Sequence, residues 1–252
     1  MMVVLLGIAN ARAALHTESV EYRHGDVVLE GYLADDDAVS GRRPGVLVVH
    51  EWKGLGQHAK HSADALAKLG YVAFAVDMYG KGVRPKDNQE AGAHAGKYKK
   101  NRALMRARIG AALDELRKHE RVDPKRVAAI GYCFGGTTVL ELARSGADVA
   151  GVVSFHGGLD SPTPEDAKSI RGKVLVLHGA DDPHVPPAEI AAFQNEMRHA
   201  GMDWQMIFYG GAVHSFTNPD AGTDNSRGVA YNEPAAQRSW AAMKLFFEEI
   251  FR

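Results

Sequence analysis

Short apolar runs alternate with longer stretches of helical spacing along most of the chain. Residues 27–33, 46–50, 71–77, 127–132, 149–155, 174–178 and 206–209 read as strands. Residues 58–69, 101–119, 134–145, 187–200 and 234–251 read as helices. In the second of these helices Leu104, Ile109, Leu113 and Leu116 fall on one face, and Asp123-Pro124 breaks the pattern. Gly70, Gly146 and Gly201 stand just past helix ends, and Pro187 and Pro234 stand at helix starts.

The strand runs are rich in valine and continuous rather than alternating. Strands of that kind are buried on both faces, as in a parallel sheet flanked by helices. From about residue 45 onward strand and helix take turns, which predicts a doubly wound α/β domain. No internal repeat, low-complexity tract or linker interrupts it. Residues 79–96 and 217–233 read as long loops, the kind that build substrate pockets at the end of such a sheet.

Residues 1–9 are apolar and Ala11-Arg12-Ala13 resembles a signal-peptidase site, but a positively charged n-region is missing. Two readings of residues 1–15 stay open, an apolar arm or a signal-peptide remnant, with one domain over residues 16–252. Other apolar runs are too short to span a bilayer. The expectation is a soluble protein, cytoplasmic or periplasmic, with no membrane partner, monomeric or a small homo-oligomer.

Charge sharpens this picture only by exclusion. Thirty-one acidic residues offset thirty basic ones among 252, a net charge of −1. Nothing in that balance calls for nucleic acid. The basic stretch 97–108 reads as a solvated helix face rather than a phosphate site. A single cysteine excludes an intrachain disulfide and leaves two roles, a small buried hydrophobe or a reactive thiol.

The neighbours of that cysteine decide for reactivity. Gly131-Tyr132-Cys133-Phe134-Gly135-Gly136 lies between a predicted strand and a predicted helix. This is the nucleophile-elbow pattern of α/β-hydrolases with cysteine in place of serine. Its glycines leave room for a sharp turn that lifts the nucleophile off the sheet, at a helix N-terminus where the dipole favours a thiolate. The spacing matches neither a dinucleotide fingerprint nor a P-loop.

A thiol needs a base, and the base an orienting acceptor; in this fold the order is nucleophile, acid, histidine. After the strand 174–178 come Asp181 and Asp182, and the Asp-Pro-x-Val-Pro spacing favours Asp182. After the strand 206–209 comes His214, which its place in the order selects over His50, His156 and His178. No His-Glu-x-x-His or Cys/His spacing marks a metal site, so no metal and no cofactor is expected.

Together Val49-His50-Glu51, Asp77-Met78-Tyr79-Gly80, Gly131 to Gly136, Asp182-Pro183 and Ala212-Val213-His214-Ser215-Phe216 resemble the dienelactone hydrolases (carboxymethylenebutenolidases), a cysteine branch of the α/β-hydrolases. The resemblance runs from about residue 20 to the final helix. It implies a triad of Cys133, Asp182 and His214, and a Glu51 that touches the resting thiol and moves away when substrate binds. It implies an oxyanion hole from the backbone N–H groups of Trp52 and Phe134. Tyr79, Lys81 and Arg227 are candidates for substrate contact. Lys81 stands where the family has one carboxylate-binding arginine. The second has no counterpart in Thr217-Asn218-Pro219, which leaves dienelactone itself open as the substrate.

The resulting expectation is a cysteine hydrolase of small esters or lactones working through an acyl-enzyme. A catalytically silent binding module, or an acyltransferase or thioesterase, on the same fold are the alternatives.

Overall fold

A computed structural model describes residues 15–252. The readings of residues 1–14 fall outside the described residues. Eight strands among them form one sheet: β1 (Leu15–His24), β2 (Val27–Asp36), β3 (Arg43–Val49), β4 (Val72–Val76), β5 (Val122–Tyr132), β6 (Gly151–Phe155), β7 (Lys173–Gly179) and β8 (Trp204–Tyr209). Their order is β1-β2-β4-β3-β5-β6-β7-β8. From β4 to β8 each neighbour is parallel, while β1 pairs β2 and β2 pairs β4 antiparallel.

Helices cover both faces. On one side α1 (Gln57–Lys68) and α6 (Glu233–Ile250) set Ala63, Leu66, Met243 and Phe247 against Val46, Val48, Ala128 and Val153. On the other α3 (Arg102–Lys118), α4 (Phe134–Arg144) and α5 (Pro187–His199) set Ile109, Leu113, Val139 and Phe193 against Leu47, Val49, Ala129 and Val152. Alternate residues of each central strand thus serve opposite cores, which is why their sequences are apolar throughout. The doubly wound α/β expectation holds.

Three expectations need correction. Strand β1 was not anticipated; its residues LHTESVEYRH are mostly exposed and carry little apolar signal. The cue lay in Gly25-Asp26, which closes the hairpin between paired His24 and Val27, with Gly25 at φ 59°. Residues 79–96 are not all loop, because α2 (Asn88–Lys99) begins there. Its Gly92 and Gly96 hid it, although Asp87 caps it by accepting from the Glu90 amide at 2.9 Å. The basic stretch 97–108 is not simply solvated. Arg108 is buried and donates to the Met78 carbonyl at 3.1 Å, and Arg102 is buried against Asp160.

Candidate active site

The turn between β5 and α4 places Cys133 at φ 53° and ψ −114°, a left-handed φ that non-glycine residues rarely adopt. Its neighbours show why the turn is glycine-rich. A Cβ on Gly131 would lie 2.1 Å from the Gly135 carbonyl oxygen, and one on Gly135 would lie 2.2 Å from the Val49 carbonyl oxygen. The Cys133 amide donates to the Phe155 carbonyl at 3.0 Å. Its own carbonyl accepts from Thr137 at 3.2 Å, so the residue caps α4 and sits at the positive end of the helix.

Asp182 and His214 arrive on separate loops, after β7 and β8. His214 Nδ1 lies 2.8 Å from Asp182 Oδ2, and the His214 ring faces the Cys133 sulfur across the same cavity. With Nδ1 on the aspartate, Nε2 is the nitrogen left for the sulfur. Burial works to lower the His214 pKa. The facing Cys133 sulfur and the Asp182 carboxylate outweigh it, and the value is pushed up to about 10. Burial likewise works against ionised Asp182, but the His214 hydrogen bond and the His184 amide at 2.8 Å hold its carboxyl below the usual range. Asp181, the competing candidate, instead accepts from the Gly211 amide at 3.0 Å and braces the loop after β8.

Trp52 and Phe134 line the same cavity as Cys133. Phe134 opens α4, so its N–H has no partner within the helix. The peptide that carries the Trp52 N–H is fixed through its carbonyl. Glu51 O accepts from the His50 ring at Nδ1 and from the Gly54 amide at 3.3 Å. His50 Nε2 accepts from the Met78 amide at 3.3 Å, which requires the Nδ1–H tautomer. Burial pushes the His50 pKa down to about 4, so this tautomer is neutral near pH 7.

The cavity has a volume of about 500 Å³. Its floor is Cys133, Phe134 and His214; its walls include Trp52, Val185, Gly92, Gly96, Lys99 and Arg227. Arg227 therefore reaches the Cys133 cavity, and Lys99 joins it, a residue expected only in a solvated basic stretch. Lys81 does not line this cavity; it pairs with Glu21 and Glu30 on the outer surface. Tyr79 is buried behind the wall. Its hydroxyl donates to the Trp52 carbonyl at 2.8 Å, and its ring packs on His94, Tyr98 and Phe134. Burial, then the nearby Cys133, raises its pKa.

Glu51 departs furthest from its expected contact. Both its oxygens are taken, one by Ser215 Oγ at 3.0 Å and the other by Asn218 Nδ2 at 2.6 Å, where the resemblance placed the resting thiol. It faces a second cavity of about 340 Å³ that shares Trp52, Ser215 and Val229 with the first. Among the described residues no group of three or more His, Cys, Asp or Glu side chains is arranged to hold a metal ion. Nor is any helix among them long and apolar enough to cross a membrane.

The dienelactone hydrolase family model matches residues 29–251. The chain belongs to the dienelactone hydrolase family. Protein usf of Aquifex pyrophilus is 29% identical to this family member over 92% of the chain and 98% of that protein. Among solved structures, one titled m3DLH is 45% identical, with a TM-score of 0.92 over 95% of this chain and all of that one. A dienelactone hydrolase-like promiscuous phosphotriesterase, P91 from metagenomic libraries, is 44% identical, with a TM-score of 0.90 over 95% of this chain and all of that one. Est1E from Butyrivibrio proteoclasticus, at 14% identity and a TM-score of 0.66 over 93% of this chain and 99% of that one, shares the α/β-hydrolase fold.

Proposed function

We propose that this dienelactone-hydrolase-like hydrolase cleaves small esters or lactones through a Cys133–His214–Asp182 triad and an acyl-enzyme. One observation carries the reading: an imidazole held 2.8 Å from the Asp182 carboxylate faces Cys133 at the floor of a 500 Å³ cavity. The thiolate, paired with the His214 cation, attacks the carbonyl carbon. The carbonyl π pair moves onto oxygen, and the amides of Phe134 and Trp52 receive the oxyanion. Collapse expels the alkoxide, which takes its proton from His214 Nε2 and leaves a thioester on Cys133. Neutral His214 then removes a proton from water, hydroxide adds to the thioester, and the thiolate departs as the acid is released. Asp182 keeps Nδ1 protonated and stabilises the cation throughout.

Arg227 and Lys99 in the cavity walls suit an acid group on the substrate. The 44% identity to a promiscuous phosphotriesterase supports a second substrate class, since a thiolate positioned for a carbonyl carbon is also positioned for a phosphotriester phosphorus.

The test is Cys133→Ala, assayed with p-nitrophenyl esters, simple lactones and a p-nitrophenyl phosphotriester. Turnover should fall by about a thousandfold or more. Wild-type protein quenched during turnover should carry the mass of one acyl group on Cys133. Full activity in the alanine variant ends the cysteine mechanism.

A further inference from the structure

Among the described residues three non-glycine positions adopt positive φ: Cys133 at 53°, His156 at 40° and Ser215 at 56°. The first is the proposed nucleophile and the last adjoins the proposed base. His156 has no part in the mechanism above, yet it lies between them. Strain of this kind is costly and persists where the surroundings hold it.

His156 follows the last residue of β6 and is fully buried. Its own amide donates to the Leu177 carbonyl at 2.9 Å, which anchors it to β7. Both ring nitrogens are used. Nδ1 lies 3.2 Å from the Cys133 amide nitrogen and Nε2 lies 2.8 Å from Thr217 Oγ1. An amide N–H can only donate, so Nδ1 is the acceptor and Nε2 carries the proton, which goes to Thr217. The ring also meets His214 edge-on at 5.3 Å and Phe216 at 5.2 Å.

We propose that His156 is a positioning residue that ties the backbone of the nucleophile to the loop carrying the base, and so sets the Cys133–His214 alignment. The inference rests on the cysteine mechanism proposed above. One face of the imidazole backs His214, one nitrogen holds Cys133, and the other holds Thr217, three residues beyond His214. A shift of either partner is transmitted through one rigid five-membered ring. The role needs a neutral ring: a proton on Nδ1 would set two donors against each other and place a second cation beside His214. Burial supplies that condition by holding the pKa far below the usual histidine range, helped by the facing His214, His58 on α1 and His178 on β7.

The two nitrogens can be tested separately, because asparagine places an oxygen near Nδ1 and glutamine places an amide nitrogen near Nε2. His156→Leu, His156→Asn, His156→Gln and Thr217→Val are compared in the full chain. For each, the thermal midpoint, the pH profile of Cys133 alkylation by iodoacetamide, and kcat and KM on p-nitrophenyl acetate are measured. In His156→Leu the alkylation midpoint should move to higher pH and kcat should fall by about 10- to 100-fold, with KM within about twofold. His156→Asn should recover most of both losses and tolerate the positive φ. His156→Gln should recover less, and Thr217→Val should show a smaller version of the same shift.

A folded His156→Leu protein with the wild-type pH profile and kcat overturns the proposal, as does an asparagine variant no better than glutamine. If leucine prevents folding, the asparagine, glutamine and valine variants carry the same comparison. Failure of the cysteine mechanism appears separately, as turnover surviving in Cys133→Ala, and the alkylation profiles still report the alignment in that event.

Discussion

Glycine does opposite things on the floor and on the wall of the reaction cavity. At the elbow, Gly131 and Gly135 are glycines because backbone oxygens stand 2.1 and 2.2 Å from where a Cβ would go. On α2, Gly92 and Gly96 line the same cavity, and a Cβ on either would meet nothing within 4 Å. The floor is closed by contact and permits one geometry. The wall is open and permits many. For the proposed reaction, the floor would then set the chemistry and the wall would set which substrate reaches it.

The sharpest way to break this comparison is to add one methyl to each region. Gly135→Ala drives a Cβ into Val49 O and leaves it 2.7 Å from His50 O, in the strand that leads to Trp52. Relief requires the end of β3 or the first turn of α4 to move. We expect a loss of about 3 kcal/mol, read as a lower urea midpoint, together with a collapse of turnover. A Gly135→Ala protein of wild-type stability and activity would remove the distinction between floor and wall.

The same contrast explains how much of the molecule was legible in its sequence. Floor residues announce themselves: valine runs for the strands, the glycine-framed Cys133, and Asp182 and His214 in chain order. Wall and support residues do not. Helix α2 carries two glycines and little apolar periodicity, so it reads as loop. Lys99 looks like part of a charge run, and only the fold turns it into the cavity. His156 and His50 are each one of twelve histidines, and the amides they accept from, Cys133 and Met78, lie 23 and 28 residues away in sequence. Strained φ at His156 leaves no mark on residue type. Lys81 follows the Asp77-to-Gly80 segment, but its side chain turns outward to Glu21 and Glu30.

A second test uses pH to probe the buried histidines at and beneath the floor. His50, held down to about 4, and His156, held lower than an ordinary histidine, exclude protons that their unfolded forms accept below about 6.5. The unfolded state then binds more protons, so stability falls as pH drops from about 6.5 toward 4. His214 acts with the opposite sign. Raised to about 10, its contribution is fully present below 6.5 and is lost as pH climbs toward 10. The thermal midpoint should therefore peak near pH 6 to 7 and fall on both sides. His50→Phe, which removes one neutral buried imidazole, should flatten the acid side only. An acid side as steep in His50→Phe as in the wild type would show that other groups set it.

The smallest effect should come from the wall, and its direction is what matters. Gly92 and Gly96 lie inside a 12-residue helix, where glycine costs about 0.5–1 kcal/mol relative to alanine. Open space around both means alanine adds no clash, so Gly92→Ala and Gly96→Ala should each raise the thermal midpoint by about 2–4 °C. Activity on p-nitrophenyl acetate should stay within about twofold of wild type, because neither residue touches Cys133 or His214. Leucine at the same positions fills the cavity instead. It should lower kcat/KM for a long-chain ester by about tenfold relative to acetate, through the lost room for the acyl group. An unchanged chain-length preference in both leucine variants would mean that substrate does not lie against α2, and the wall would have to be sought at Val185 and Arg227. The stability gain with alanine and the selectivity loss with leucine come from one feature, a helix kept weaker than it needs to be so that space remains above the thiol.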